Sequence, residues 1–198
     1  MRTTSQAIKA YAEALPEGAT LSARELLHLG ERAAVDQALS RLVRRGELMR
    51  VKRGLFAQPV KTRFGSRAPS VEAVVEHIAK STGERVSQSG ASAANLLGIS
   101  TQNPSRQVFW TSGPSRHLKL GAQSVELKHV PSWQLRAPNS RAGHAFRALA
   151  YFGKSEAAQA LRRIKAMLNE EEQRELLSLR ASAPTWMAKE LSALVPSQ

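Results

Sequence analysis

The chain has 198 residues, no cysteine and a formal net charge of +13 at pH 7. The lack of cysteine excludes disulfide bonds, thiolate zinc sites and cysteine nucleophiles, and it is typical of the reducing cytoplasm, where we expect the protein to reside. The charge favours a polyanionic partner. We expect no membrane association, because the sequence shows no signal peptide and no segment apolar enough to span a bilayer.

Residues 22–57 predict two helices followed by a basic hairpin, which is the order of elements in a winged helix-turn-helix. Ser22 and Glu25 form an S-x-x-E capping box, which predicts the start of the first of these helices. Leu29 and Gly30 predict its end. Because this fold places its second helix in the major groove of DNA, the second helix is the candidate for reading sequence.

The second helix is predicted over about residues 32–45, before Gly46. Its apolar residues recur at the spacing of a single helix face and predict a buried stripe of Val35, Ala38, Leu39, Leu42 and Val43. The opposite face carries polar side chains suited to base edges and phosphates, and the DNA-binding candidates there are Gln37, Ser40, Arg41 and Arg44. An arginine-rich face is also common on solvated helices, so the helix alone does not decide between the two interpretations.

The residues after the second helix favour DNA binding. Residues 48–51 (LMRV) and 55–57 (LFA) have patterns typical of two short strands. Lys52 and Arg53 lie at the turn between these strands and complete the set of DNA-binding candidates. A hairpin with cations at its tip is typical of a wing, which contacts the phosphate backbone or the minor groove.

A domain boundary is predicted at residues 59–69. Prolines, a glycine and cations there interrupt both helical and strand periodicity, as in a linker or an extended strand. We therefore expect a DNA-binding domain over residues 1–60 and a second domain over residues 61–198. The second domain begins with predicted helices and strands at 71–81, 84–88, 91–97, 107–111, 117–120 and 124–130, and continues with helices at 140–152, 155–168, 170–179 and 184–194. The predicted fold class is α+β, an N-terminal winged helix-turn-helix followed by a mixed α/β domain with a helical C-terminus.

Residues with catalytic potential are too scattered to predict an enzyme. Asp36 is the only aspartate, whereas two-metal phosphoryl-transfer sites need clustered carboxylates. Ser89 and Gly90 resemble a nucleophile elbow only loosely and are better explained as a helix cap with tight packing. The five histidines lack metal-binding spacing, and no glycine-rich phosphate loop occurs. We expect no catalytic residues, no metal site and no cofactor.

The positive charge is greatest outside the predicted DNA-binding domain. Residues 1–60 carry ten cations and six anions, residues 61–147 twelve and four, and residues 148–198 seven and six. The main contributors to the excess of positive charge in residues 61–147 define a candidate second basic face, which consists of Arg63, Arg67, Arg85, Arg106, Arg116, Lys119 and Lys128. Such a face suits DNA phosphates, RNA or an acidic protein, and a role in solubility alone is the alternative.

The middle of the chain resembles a known family. Residues 84–98, ERVSQSGASAANLLG, and residues 111–116, TSGPSR, are similar to bacterial antitoxins of the AbiEi type, from abortive-infection type IV toxin–antitoxin systems. The resemblance extends over about residues 5–195. It implies an N-terminal winged helix that binds inverted repeats in the double-stranded DNA of its own promoter. It also implies a C-terminal domain that counters a co-encoded nucleotidyltransferase-like toxin.

Two functions follow from these observations. The first is an antitoxin that also represses its own promoter, and that acts on the toxin by direct capture or by competing for its nucleic-acid target. The second is a stand-alone winged-helix transcription factor whose C-terminal domain senses a ligand or mediates oligomerisation. Trp110, Trp133 and Trp186 are candidates for lining a ligand pocket, although the aromatic residues of such a chain are more often core residues. A neighbouring gene for a nucleotidyltransferase-like protein would favour the first function.

Overall fold

The computed structural model describes residues 3–101 and 107–194. Within these ranges the protein is a mixed α+β structure with seven α-helices and three sheets, which confirms the predicted fold class at this level. The chain forms two compact units, one of Met1–Glu84 with His117–Val125 and one of Arg85–Arg116 with Glu126–Gln198. We call them the N-terminal unit and the C-terminal unit.

The N-terminal unit begins with a helix, a strand and a second helix, which are α1 (Thr4–Glu13), β1 (Thr20–Ser22) and α2 (Arg32–Arg44). Two further strands follow, β2 (Met49–Lys52) and β3 (Leu55–Ala57). The three strands form an antiparallel sheet in the order β1-β3-β2. Apolar side chains from both helices, β1 and β3 meet in one core, which holds these elements together.

Helix α2 forms as predicted, but the helix expected before it does not. The hydrogen bonds of the predicted capping box are present: the Glu25 carboxylate accepts from the Ser22 N–H at 2.6 Å, and the Glu25 N–H donates to the Ser22 hydroxyl at 3.4 Å. They close a turn that leads only into a 3₁₀ segment at Leu27–Leu29. The predicted helix from Ser22 to Leu29 is therefore wrong. Residues 23–26, between β1 and this segment, form turns instead of an α-helix.

A second hairpin and a third helix follow, made of β4 (Val60–Thr62), β5 (Gly65–Arg67) and α3 (Val71–Thr82). Strands β4 and β5 pair antiparallel in a two-stranded sheet of their own. The segment predicted as a linker or an extended strand is thus a hairpin. Helix α3 matches its prediction, and the hydroxyl of its N-cap Ser70 accepts from the Ala73 N–H at 3.2 Å.

Helix α3 belongs to the N-terminal unit because β1 and the turn before it pack against this helix. Nδ1 of His77 accepts a hydrogen bond from the Thr20 N–H at 3.1 Å. Gly18, at φ +83°, approaches so closely that a Cβ added there would lie 2.5 Å from the Cβ of Ala73. The N-terminal unit therefore extends to residue 84, whereas the sequence suggested a boundary at residue 60.

The C-terminal unit combines a sheet with a set of packed helices. In chain order the elements are β6 (Val86–Gln88), α4 (Gly90–Leu96), β7 (Gln107–Thr111), β8 (Arg116–Leu120), β9 (Gln123–His129), α5 (Arg141–Met167), α6 (Glu170–Ser178) and α7 (Thr185–Leu191). The strands form one sheet in the order β6-β7-β9-β8. The segment His117–Val125, which contains all of β8 except its first residue and the start of β9, is grouped with the N-terminal unit. Helix α5 packs against α4, α6 and α7 around a second apolar core.

Helix α5 is kinked at the place where the sequence predicted two separate helices. Gly153 has φ 72° and ψ −179°, a conformation that is essentially restricted to glycine. The predicted break between residues 152 and 155 is thus confirmed as a kink. Among the described residues, none of the helices combines the length and the apolarity needed to cross a bilayer.

Candidate nucleic-acid interface

Helix α2 has one buried face and one exposed polar face. The buried face consists of Val35, Ala38, Leu39 and Leu42, none of them more than 1% exposed, with Val43 partly buried beside them. This burial fixes the rotation of the helix about its axis, so Gln37, Arg41 and Arg44 lie exposed on the opposite side and Ser40 is partly buried next to them. We call these four residues the outer face of α2. The nearby ion pair joins Arg32 to Asp36 at 2.9 Å, and within the described residues no ion pair involves Arg41 or Arg44.

The outer face of α2 borders two open depressions. One has a volume of about 450 Å³ and is lined by Asp36 and the four outer-face residues. The other has a volume of about 700 Å³, lies between α1 and α2, and is lined by Gln37 and Arg41 together with Lys9 and Arg45. We call the second depression the α1–α2 groove. Its further lining is largely polar and consists of Thr3, Thr4, Ser5, Gln6, Ala34, Leu42 and Glu47.

The turn between β2 and β3 presents the other two predicted DNA-binding residues. Lys52 and Arg53 are both exposed there. Gly54 has φ +74°, in the left-handed region that favours glycine, and so permits the sharp return of the chain. The Arg50 guanidinium lies over the ring of Phe56, 5.6 Å from its centre, so the strand leading to the turn is basic as well.

The candidate second basic face is divided between the two units. Arg63, Arg67 and Lys119 belong to the N-terminal unit, whereas Arg85, Arg116 and Lys128 belong to the C-terminal unit. Arg106 lies outside the described residues. Two members are already engaged, because Arg67 pairs with Glu17 at 3.0 Å and Arg116 donates to the Pro114 carbonyl at 2.9 Å. The predicted face is therefore not contained in one unit.

The model of DUF6088, a family of unknown function, matches residues 7–176. The chain belongs to this family. Among solved structures it is similar to the crystal structure of the RV2827C protein from Mycobacterium tuberculosis, with a TM-score of 0.53 and 18% sequence identity over 98% of this chain and 77% of that one. This similarity concerns the fold. Comparison with curated protein sequences gives no match.

Three residues near the interface of this DUF6088 member were not predicted from the sequence. Lys9 reaches the α1–α2 groove only through tertiary packing, which no local pattern records. Arg45 follows Arg41 by four residues and therefore lies on the same side of the helix. Extending the polar face by one more residue after Arg44 would have included it. Phe64 is 85% exposed at the tip of the β4–β5 hairpin, and the available signal was an aromatic residue between Arg63 and a glycine.

A buried arginine organises a loop of the C-terminal unit. Arg147 on α5 is 0% exposed, and its guanidinium donates to the carbonyls of Arg136 at 3.1 Å and Pro138 at 2.9 Å. Its Nε is buried without a hydrogen-bond partner among the described residues. Burial lowers the pKa of Arg147 to about 10, so the guanidinium is still charged at pH 7.

The loop that Arg147 holds has a strained backbone and lies very close to α5. Ala137, between the two bonded carbonyls, has φ +45° and is the only non-glycine residue with positive φ in the described part of the chain. A Cβ added at Gly143 would collide with the carbonyl oxygen of Ala137. The loop therefore depends on a glycine for space and on an arginine for hydrogen bonds. Both roles are structural.

The remaining sequence candidates also have structural roles. The Ser89 hydroxyl caps α4 by accepting from the Ser92 N–H at 3.3 Å, and a Cβ at Gly90 would lie 2.6 Å from the Cβ of Tyr151. The prediction of a cap with tight packing is confirmed. Trp133 packs edge-on against Phe146 with ring centres 5.9 Å apart, and both Trp133 and Trp186 adjoin the apolar core.

Proposed function

We propose that the protein is a winged-helix DNA-binding protein that represses its own promoter and acts as the antitoxin of a type IV toxin–antitoxin pair. The observation that carries the DNA-binding part is the outer face of α2. Its arginines are exposed, its opposite face is fully buried, and a strand turn with Lys52 and Arg53 belongs to the same unit. A helix held in this way presents guanidinium groups to solvent in a fixed direction, as major-groove recognition requires.

The order of the elements supports a winged helix. Helix α1, strand β1, a short helical segment, helix α2 and the β2–β3 hairpin follow one another as in that fold, and β3 lies between β1 and β2 in the sheet. In this interpretation α1 is the first helix. The 3₁₀ segment at Leu27–Leu29 replaces a full second helix, and α2 is the recognition helix.

We assign different roles to the side chains of α2 and to those of the wing. Arg41 and Arg44 suit bidentate hydrogen bonds to guanine, and Gln37 suits adenine, so these residues would select sequence. Lys52 and Arg53 at the wing would neutralise phosphates, which adds affinity without sequence preference. Exposed cations without acidic partners bind DNA without first breaking an internal ion pair.

The antitoxin part rests on the resemblance to AbiEi-type proteins and on the size of the C-terminal unit. This unit has an apolar core of its own, built from α4, α5, α6 and α7. A winged helix needs no second body of this size to bind an operator. A folded body without a clustered catalytic set suits action through its surface, either on the toxin itself or on the toxin's nucleic-acid target.

The DNA-binding proposal is tested by gel shifts on the DNA upstream of the protein's own gene at about 150 mM salt. We expect Arg41→Ala/Arg44→Ala to weaken binding at least tenfold, since each good arginine–guanine pair contributes about 1–3 kcal/mol of discrimination. The matched control is Arg162→Ala/Arg163→Ala, which removes two exposed arginines from α5 and should bind nearly as well as the wild type. Equal binding by Arg41→Ala/Arg44→Ala and wild type would contradict the proposal.

The antitoxin proposal predicts a nucleotidyltransferase-like protein encoded beside this one, and co-expression of the two proteins tests it. Full-length wild type should restore growth, and so should full-length Arg41→Ala/Arg44→Ala, because neutralisation is assigned to the C-terminal unit. Expression of both proteins from an unrelated promoter separates neutralisation from autorepression. Continued growth arrest in the presence of wild-type protein would reject the antitoxin function and favour a stand-alone transcription factor.

A further inference from the structure

The β4–β5 hairpin exposes an aromatic ring that the fold does not use. Phe64 at its tip is 85% exposed, whereas Phe56, Phe109 and Phe146 are at most 7% exposed. Isolated exposed apolar residues are common on protein surfaces, so exposure alone carries little weight. The surroundings of this ring make the difference. The Arg63 guanidinium lies over it, 4.7 Å from the ring centre, and residues 58–70 contain three cations and no acidic residue.

The turn that carries Phe64 is braced from within. The Thr62 hydroxyl donates to the Gly65 carbonyl at 2.9 Å and accepts from the Phe64 N–H at 3.2 Å. Gly65 has φ +117°, a conformation that glycine adopts readily and other residues avoid. The ring is thus presented on a two-residue connection with a defined shape, which reduces the entropy lost when it contacts a partner.

The base of the hairpin is anchored by two ion pairs. Lys61 Nζ lies 3.4 Å from the Glu13 carboxylate at the end of α1, and Arg67 lies 3.0 Å from the Glu17 carboxylate. Glu17 also accepts from the Ser70 N–H at 3.0 Å, and the hydrogen bond from Arg67 is the main reason why the pKa of Glu17 is lowered. The charges at the base are therefore compensated, whereas Arg63 at the tip forms no ion pair among the described residues.

The hairpin adjoins the surface proposed to bind DNA. A depression of about 230 Å³ is lined by Lys61 and Ser66 of the hairpin and by Lys9 and Arg45. Lys9 and Arg45 also line the α1–α2 groove, which reaches Gln37 and Arg41 on the outer face of α2. One continuous surface of the N-terminal unit thus runs from the outer face of α2 to the hairpin. Glu13 and Glu47 also line the depression and pair with Lys61 and Lys9, so the cation of this lining without an ion pair in the described part of the chain is Arg45.

We propose that the β4–β5 hairpin is a second DNA-contacting element that places Phe64 in the minor groove while Arg63 contacts the adjacent phosphates or groove floor. This inference rests on the proposed DNA-binding function. Apolar wedges inserted at a base step, accompanied by arginine in the narrow groove, are a known way to bind and bend duplex DNA. A protein partner would also accept an exposed aromatic ring, but the Arg63 guanidinium over the ring has no ion pair among the described residues and favours a polyanion.

The test measures binding of the full-length protein to duplex DNA from its own promoter, across a series of salt concentrations. We expect Phe64→Ala to weaken binding about fivefold or more with an unchanged salt dependence, since the ring carries no charge. Phe64→Trp, which keeps an aromatic wedge, should bind close to wild type. Arg63→Ala should reduce the slope of log K against log salt by about one. Because Phe64 is exposed, its substitution should not change the thermal unfolding temperature.

A second measurement reports the wedge directly. Duplexes carrying 2-aminopurine at successive steps should show one position whose fluorescence rises on binding of wild type and not of Phe64→Ala. Leu96→Ala is the matched control, because Leu96 is a 61% exposed apolar residue on α4 of the other unit, and it should behave as wild type.

The outcomes separate this inference from the function on which it rests. If Arg41→Ala/Arg44→Ala loses binding while Phe64→Ala binds and unstacks DNA as wild type does, the hairpin proposal is overturned and DNA binding by α2 stands. If Phe64→Ala leaves DNA binding intact but abolishes neutralisation of the toxin, the ring contacts a protein instead, which also overturns it. Failure of the wild type to bind duplex DNA rejects both proposals.

Discussion

Two sets of arginines, one in each unit, lie in opposite environments. On α2 of the N-terminal unit, Arg41 and Arg44 are exposed and are free of ion pairs in the described part of the chain. On α5 of the C-terminal unit, Arg147 is completely buried and donates to two backbone carbonyls. Arg41 and Arg44 form no ion pair that stabilises the fold in the described part of the chain. Arg147, in contrast, fixes the shape of a strained loop.

This difference distinguishes charged side chains that serve binding from charged side chains that stabilise the fold. Exposed cations without partners contribute little to stability, so substituting them should alter binding and leave unfolding unchanged. A buried cation whose donors are used by the backbone should have the reverse effect. Each prediction below examines one side of this comparison.

The largest effect is expected at Arg147. Arg147→Ala should lower the free energy of unfolding by about 3–5 kcal/mol, because it leaves a cavity and removes the donors to the Arg136 and Pro138 carbonyls. Arg147→Met restores most of the volume and removes the buried charge, so it should be less destabilising than Arg147→Ala. Denaturant unfolding followed by tryptophan fluorescence measures both. A stability of Arg147→Ala within about 1 kcal/mol of wild type would show that the loop does not depend on this side chain.

A smaller loss is expected from Gly143→Ala. The added Cβ would collide with the Ala137 carbonyl oxygen, so either the loop or α5 must move, at a cost of about 2–3 kcal/mol. Gly46→Ala is the matched control in the N-terminal unit. A Cβ at Gly46 meets nothing within 4 Å, so only its φ of +69° opposes the substitution, at about 1 kcal/mol. Equal losses at the two glycines would contradict the close approach of the loop to α5.

The wing residues should affect binding without affecting stability. Lys52→Ala/Arg53→Ala should leave the free energy of unfolding within about 0.5 kcal/mol of wild type. The slope of log K against log salt for promoter DNA should fall by about two, one for each lost phosphate contact. Fluorescence anisotropy at several salt concentrations measures this slope. An unchanged slope would remove the wing from the proposed interface.

The smallest effect concerns pH. Burial lowers the pKa of His144 below its ordinary 6.5, and the charges of Arg147 and Arg141 add to this. The unfolded chain therefore binds the proton first as the pH falls, so the contribution of His144 to stability decreases from pH 6.5 down to its folded-state pKa and is constant below it. Unfolding of wild type and His144→Gln across this window should differ in slope. Parallel curves would mean that His144 is not desolvated in the folded protein.

Periodicity predicted what depends on neighbours along the chain and missed what depends on distant contacts. The α2 stripe and the Gly153 break follow from spacing and from the backbone of one residue, and the structure bears them out. The β4–β5 hairpin is anchored by the ion pairs of Lys61 with Glu13 and of Arg67 with Glu17, which no local pattern records. The sequence does contain a signal for Arg147. A helix that is apolar on all sides is buried, so an arginine within it needs hydrogen-bond partners in the interior.

The segment His117–Val125 belongs to the N-terminal unit, although it is synthesised after the first part of the C-terminal unit. The apolar core of that unit uses side chains no later than Phe56, so it is complete in sequence early in synthesis. The segment His117–Val125, whose Gly121 would place a Cβ 3.7 Å from that of Ala68, is made only after the first strands of the C-terminal unit. At about 5–20 residues per second, synthesis from residue 84 to residue 125 takes roughly 2–8 s. The polypeptide passes between the units three times, so cutting it at any single peptide bond cannot yield both units whole.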